Sequence, residues 1–542
     1  MSVTSPARGV AEEPVEPRGR VPSRRWIDVV LVVALLPMAL VARRPGYLFS
    51  HAFFLDEGWV ADSVRAPLAQ VRLLTSSTPI GWTLLLRLVP DIGPPERLRA
   101  LPLLFGVLSV VPAYLLGRRL GRVAAVAAGL AAAVAPTALA NHSLKQYSAD
   151  VVVVFTLLWL TARVERDWSL GRLLTLCLAC VPAMLVSHAT AFVSAAALAA
   201  LALRAVAQRR WRRLGWLAGL GAGVAAAEAA IYVAFVAPGN NPAMARSWAD
   251  DMVPVFDGMV LAPDAVGRAA EFLGGRGADT LGGLGFGPWP LALAAVLAGV
   301  VALWRARLTA VAIAVVLIAA ELLVGALTGR YPFLDSRTSL FFTALLTVCG
   351  ALGVAGAVAW SARRLATLPL GVALTVGAAV LLAQGAHAGA MQPLPLSTVR
   401  QQVDYVLAHR QPGDVVVVGW AASFPFAYYW PDRPTFAPTT IPTAVLFQVQ
   451  YPDRDDLVLI GRTKRPDLVF GAVREAAARS DSGRVWLVAA ESGDRSSAQI
   501  KSLNEIGQIV RRPLPRLARV DGIDAKAPGQ PRSSRHRTPP TP

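Results

Sequence analysis

Long apolar runs alternate with short polar connections from residue 27 to residue 384. The runs fall at 27–42, 98–116, 123–140, 151–162, 173–187, 191–205, 214–236, 290–303, 308–328, 339–360 and 366–384. Helical stretches of roughly 17–25 apolar residues match the hydrocarbon core of a bilayer, so the pattern predicts about eleven transmembrane helices. Residues 43–97, between the first two runs, are polar and amphipathic and hold one shorter apolar piece, 80–89, flanked by prolines. Too short to cross, that piece is expected as a helix lying at the interface or re-entering it.

The pattern changes near residue 392. Residues 397–410 have helical periodicity, and Pro412-Gly413-Asp414 is a turn signal before the β-branched run 415–418. Segments 457–460, 468–470 and 485–488 read as further strands and 494–506 as a helix. This alternation predicts a small α/β domain. It has no Gly-rich phosphate loop and no metal-ligand spacing, which leaves support or acceptor binding as its expected role. The fold class is therefore a membrane all-α bundle, 26–390, with interfacial helices in its first outer loop and an extracytoplasmic α/β domain, 391–521. Residues 1–25 and the basic, Pro-rich tail 522–542 are expected to be disordered. The first run has no small-residue cleavage site after it and reads as a retained helix.

Composition agrees. Hydrophobic residues make up 54% and charged residues only 16% of the 542 positions, against about a quarter charged in soluble proteins, and the mean hydropathy is +0.48. The net charge of +18 comes without aromatic-basic surface motifs, so nucleic acid is not an expected partner. Its arginines sit in alternate connections: Arg118, Arg119 and Arg122; Arg163, Arg166 and Arg172; residues 204–213; Arg305 and Arg307; Arg363 and Arg364. Positive charge marks the cytoplasmic side, which places the N-terminus inside and the C-terminal domain outside a plasma membrane; the Ala/Arg-rich composition points to a bacterial source. Arg43 and Arg44 break the pattern and are expected to snorkel to the outer headgroups. Cys177 and Cys180 spell CxxC inside an apolar run and read as packing residues.

The chemistry-bearing residues gather in the outer connections. The first carries Asp56 and Glu57 between aromatics, with Trp59 and Trp82 nearby. The second carries Lys145, Tyr147 and Asp150, the third His188, and a later one Arg330, Tyr331 and Arg337. Ionisable groups at a membrane are costly and by default are candidates for function. Each also has a plainer role: solvated loop acids, a helix-capping carboxylate at Asp150 before a helix starting at Val151, belt aromatics at Tyr147, Tyr331, Trp59 and Trp82, headgroup anchors at Lys145 and Arg337, and a packed His188.

In order and topology these patches resemble the GT-C superfamily of polyprenyl-phosphate-sugar-dependent glycosyltransferases. The resemblance is to its branch of protein mannosyltransferase, aminoarabinose transferase and Rgt-like enzymes (glycosyltransferase family 39 type). It rests on Asp56-Glu57 soon after the first helix and on Thr78-Pro79-Ile80-Gly81-Trp82 in the interfacial helix. Lys145-Gln146-Tyr147 before the fourth span, and Arg330-Tyr331-Pro332-Phe333 followed by Arg337, complete it. Ser76, Ser77 and Thr78 stand where many relatives have a lysine before the proline.

The resemblance implies transfer of a sugar from a polyprenyl-phosphate donor to an extracytoplasmic protein, lipid or glycan acceptor, with inversion. Asp56 is the expected general base, with Glu57 and Asp150 as further catalytic acids. Lys145, Tyr147, Arg330, Tyr331 and Arg337 are expected at the donor phosphate, and His188, Trp59 and Trp82 at the substrates. A divalent cation, Mg or Mn, held by Asp56, Asp150 or Glu57 is the one cofactor the pattern allows. The alternative function is a transporter or flippase of lipid-linked sugars, although no internal repeat of the transporter kind is evident. A membrane receptor with the C-terminal domain as sensor would leave the acidic pair unused.

Overall fold

The computed structural model describes residues 25–75, 78–134, 144–239, 252–253, 256–257, 260–364, 397–438, 447–461, 466–490, 508–514 and 517–521. After α1 (Arg25–Ala42), the first connection folds into the short helices α2 (Leu55–Arg65), α3 (Leu68–Leu74) and α4 (Ile80–Leu86). The bundle continues through α5 (Pro95–Gly117), α6 (Arg122–Val134), α7 (Tyr147–Arg166), α8 (Leu170–Val186), α9 (Thr190–Ala207) and α10 (Trp211–Val236). An amphipathic helix, α11 (Ala265–Gly282), precedes α12 (Trp289–Arg305), α13 (Thr309–Leu327) and α14 (Leu340–Arg364).

Seven of these helices are long and apolar enough to cross a bilayer, and α6, α8 and α12 are shorter apolar helices. Every predicted span but 366–384, which lies outside the described residues, falls on one of them.

The bundle core is Ala-, Val- and Leu-rich and centres on α7, whose Val154, Phe155, Leu158 and Ala162 are fully buried. Lipid supplies no hydrophobic drive between helices, so close backbone approach through small residues must. The tightest case is α12 against α14: a Cβ on Gly299 would overlap the Cys349 carbonyl oxygen, and one on Gly353 the Ala295 oxygen. Cys177, Cys180 and Cys349 are buried and unpaired, as packing residues are.

The arginine-rich connections share one membrane face. Asp28 of α1 accepts from Arg118 Nε at 2.8 Å and Arg122 Nε at 3.3 Å, while Glu165 at the end of α7 pairs with Arg204 and accepts from Ala310 N at 2.8 Å. Arg43 corrects an expectation. It does not snorkel; it is 4% exposed and donates to Ala132 O and Ala133 O of α6.

The C-terminal domain holds α15 (Val399–His409), β1 (Val415–Val418), α16 (Trp420–Tyr429), β2 (Thr435–Pro438), β3 (Phe447–Gln450), β4 (Leu457–Leu459), α17 (Pro466–Arg479), β5 (Arg484–Val488), β6 (Gln508–Leu514) and β7 (Leu517–Asp521). Its five-stranded sheet has the order β4-β1-β5-β7-β6; the first three strands are parallel, and β7 runs antiparallel to both neighbours. The predicted turn carries Gly413 at φ +85, and Asp414 behind it accepts from Gln411 N, Ser482 Oγ, Arg484 Nε and Trp486 Nε1.

Residues 468–470 are not a strand. They lie in α17, where Pro466 at the first position and an Ala-rich continuation with buried Val473 and Ala476 favour helix. The predicted helix 494–506 lies outside the described residues.

Candidate active site

On the face opposite the arginine clusters, α2 presents Asp56 and Glu57 in its first turn, and the two adjacent side chains part company. Glu57 turns inward. It is 1% exposed, with Oε1 accepting from Arg99 Nε at 2.9 Å and Oε2 paired with Arg99 Nη2. Arg99 also donates to Leu48 O at 2.7 Å, His51 O at 2.5 Å and Ala52 O at 3.3 Å, so one guanidinium fixes the chain entering α2. Glu57 is thereby committed to Arg99 rather than to the open side of the helix.

Asp56 faces the other way. Its Oδ2 lies 3.2 Å from Lys145 Nζ and 2.9 Å from Arg337 Nη1. Burial on its own would raise this carboxyl, but Lys145 and Arg337 outweigh it and hold the group below the usual carboxylate range. Lys145 is raised in turn, its burial overcome by Asp56. Three outer connections predicted to converge do so at one carboxylate oxygen.

Two devices position the cations. Lys145 precedes α7 and sits 5.2 Å from the centre of the Trp59 ring, while Trp82 Nε1 donates to Leu144 O at 2.7 Å and fixes the adjoining backbone. Trp59 Nε1 is likewise committed, to Leu74 O at 2.7 Å, and both indoles are buried. Arg337 is set by Asp335, whose Oδ1 accepts from Arg337 N at 3.3 Å, Thr338 N at 3.0 Å and Thr338 Oγ1 at 3.2 Å. That Asx-type turn follows Leu334 at φ +50 and leaves the Arg337 side chain 43% exposed, so the site is open on this side.

Tyr147 is buried within electrostatic reach of Lys145, Arg337 and Asp56. Tyr331 donates to Thr338 O at 2.6 Å and meets Phe192 edge-on at 4.9 Å; burial and then Asp150 push its phenol up. Arg330 is exposed and has no ion pair among the described residues.

Asp150 corrects the capping alternative. Helix α7 begins at Tyr147, so Asp150 lies within it rather than before it, facing the Ser187–Ala189 turn that starts α9. Asp150 lies against Ser187 and the Ala189 backbone, and among the described residues Gln146 Oε1, Ser148 Oγ and Thr190 Oγ1 are buried without a hydrogen-bond partner. Buried polar atoms left unpaired are rare in native folds, and here they neighbour one another along two connections. His188 stands in the same turn, pushed down to about 4 by burial and hence neutral near pH 7.

Among the described residues no three or more His, Cys, Asp or Glu side chains converge, Asp56 is held by two cations, and Glu57 is spent on Arg99.

The C-terminal domain reaches the site through residues that carry no local sequence signal. Tyr429 Oη accepts from Phe53 N at 2.8 Å and donates to Glu96 Oε1 at 2.8 Å; Arg400 Nη1 pairs with the same fully buried carboxylate at 3.1 Å. A Cβ on Gly58 would overlap the Pro425 backbone, so α2 rests directly on α16.

No family model matches the chain, and no curated protein matches it. Solved structures do. The chain is similar to ArnT from Cupriavidus metallidurans in the apo state, at 16% identity over 92% of this chain and 97% of that one, with a TM-score of 0.52. It is also similar to the oligosaccharyltransferase AglB from Archaeoglobus fulgidus, solved with an inhibitory peptide and a dolichol-phosphate, at 12% identity over 86% and 69%, with a TM-score of 0.51. A second structure of the Archaeoglobus enzyme, with Zn and sulfate, gives 12% over 84% and 68%, with a TM-score of 0.50. The chain thus shares the membrane fold of these structures.

Proposed function

We propose that this membrane protein transfers a sugar from a polyprenyl-phosphate carrier to an acceptor hydroxyl outside the cytoplasm, with Asp56 as general base. The observation that carries the reading is the meeting of Asp56, Lys145 and Arg337, from three connections distant in sequence. Its support from outside is the shared fold, together with the dolichol-phosphate bound to one protein of that fold.

In the free protein Asp56 neutralises both cations. A donor phosphate, likewise a bidentate partner for Arg337, draws Lys145 and Arg337 onto itself and releases the carboxylate. The acceptor oxygen then attacks the anomeric carbon opposite the phosphate. The bond from that carbon to the phosphate oxygen breaks, the electron pair leaves on the polyprenyl phosphate, and the acceptor proton passes to Asp56. Lys145 and Arg337 stabilise the departing anion. The buried polar groups around Asp150 and Ser187 supply hydrogen-bonding groups for the acceptor or sugar.

Transfer from a synthetic short-chain polyprenyl-phosphate sugar to endogenous acceptors in proteoliposomes tests the reading; carrier movement across the bilayer without glycosidic cleavage would instead establish the flippase alternative.

The orientation has its own check. A cysteine at the exposed Asp481 should react with an impermeant maleimide on intact cells, against a low background because the three native cysteines are buried. Labelling only after lysis would reverse the sidedness and move the site to the cytoplasm.

Tyr429 is proposed as a positioning residue. Tyr429→Phe leaves Phe53 N unpartnered inside the interface and Glu96 Oε1 with Arg400 alone, a cost of about 1–3 kcal/mol. The expected readouts are a lower unfolding midpoint and slower turnover at unchanged donor KM. If both midpoint and turnover stay at wild-type values, the bridge does not position α2.

A further inference from the structure

The face opposite Asp56 carries a cleft of about 720 Å³ between the start of α6 and the ends of α12 and α14, a volume in the range of roughly 300–1,000 Å³ usual for small-molecule sites. Its rim is cationic, with Arg119, Arg122 and Arg305; its floor is small and apolar, including Ala298, Ala302, Gly353 and Gly356. The outer wall holds Trp360 and Val301, exposed by 54% and 47% on a surface that faces lipid.

The rim charge is uneven. Arg122 is answered by Asp28 at 3.3 Å, whereas neither Arg119 nor Arg305 has an acidic partner among the described residues. Arg119 is pushed down by burial and by Arg166, Arg163 and Arg172, so the nearest charges add to its field. A cleft with surplus cations at the headgroup level and an apolar floor running into the bundle matches one chemistry: an anionic head on an acyl chain.

We propose that this cleft binds an anionic phospholipid, with Arg119 and Arg305 on the headgroup phosphate and an acyl chain along Ala298, Ala302 and Gly356. Basic pockets between transmembrane helices are a recurring form of lipid recognition, and the guanidinium fork suits phosphate. The site is independent of the transfer reaction.

The test is native mass spectrometry of the full chain from nanodiscs of equal parts phosphatidylglycerol and phosphatidylcholine. Wild-type protein should retain phosphatidylglycerol preferentially. Arg119→Gln with Arg305→Gln should weaken that retention roughly 30-fold, the sum for two arginines near an anionic lipid. Arg210→Gln with Arg212→Gln, an equal charge loss in another connection, should change it little. Ala298→Phe, which keeps every charge but fills the floor, should also abolish retention, as it would not for a free phosphate; wild-type retention competed away by inorganic phosphate alone would overturn the lipid assignment. Equal retention of both lipids by the wild type, or equal loss in the two arginine pairs, would overturn the site. The wild-type comparison stands even if a variant fails to fold.

Discussion

Asp56→Asn is expected to lower turnover by about 10²–10⁴-fold, the usual contribution of a positioned general base, while expression and donor binding persist. The substitution preserves shape, and an amide oxygen still accepts from Lys145 and Arg337, so the three connections stay assembled. The donor phosphate no longer competes with a carboxylate for those cations, so the donor KM should hold steady or fall. A loss in kcat without a rise in KM separates a base from a binding residue.

The pH profile gives a second reading of the same residue. In the free protein the cations hold Asp56 below the usual carboxylate range, so the stability it contributes is present above the unfolded pKa and lost as pH falls through the folded one. The acid limb of kcat/KM, which reports the free enzyme, should therefore lie low. The limb of kcat should lie higher, because in the bound state the phosphate has taken the cations away. A phosphodiester donor stays ionised across this interval and adds no limb. Coincident limbs would show that the cations stay on Asp56 during turnover. If Asp56→Asn keeps near-normal transfer while Asp150→Asn abolishes it, the base lies in the second outer connection instead.

Much of this architecture is legible in the sequence because membrane helices are written in long apolar runs that nothing else imitates. The convergence of Asp56, Lys145 and Arg337 is legible for a related reason: ionisable residues at one membrane face have few places to go. Pairings across the fold are not legible. Glu57 and Asp56 are adjacent and alike in sequence, and only the position of Arg99 separates a buried structural acid from one that meets Lys145 and Arg337. Glu96, Arg400 and Tyr429 meet across some 300 residues, with no periodicity or spacing to announce them. Residues 468–470 fail for a local reason, since three apolar residues fit either period and only the flanking Pro466 and alanines decide.

Glu57→Gln should therefore fail differently from Asp56→Asn, by loss of the fold rather than of chemistry. Removing one partner of a buried ion pair strands the other charge, at a cost of about 3–5 kcal/mol, and Arg99 is 5% exposed. The consequence is spread by the other bonds of Arg99, since Leu48, His51 and Ala52 carbonyls all rest on the same guanidinium. Replacing both partners by leucine would remove the stranded charge but orphan those three carbonyls, so the double variant should recover only part of the loss. Arg99→Lys keeps the charge without the fork and should also destabilise. The measurement is the monodisperse fraction on size-exclusion chromatography and the unfolding midpoint of the purified protein, taken beside Asp56→Asn. Wild-type stability in Glu57→Gln with turnover abolished would place Glu57 in the chemistry and make the Arg99 pair a means of tuning it.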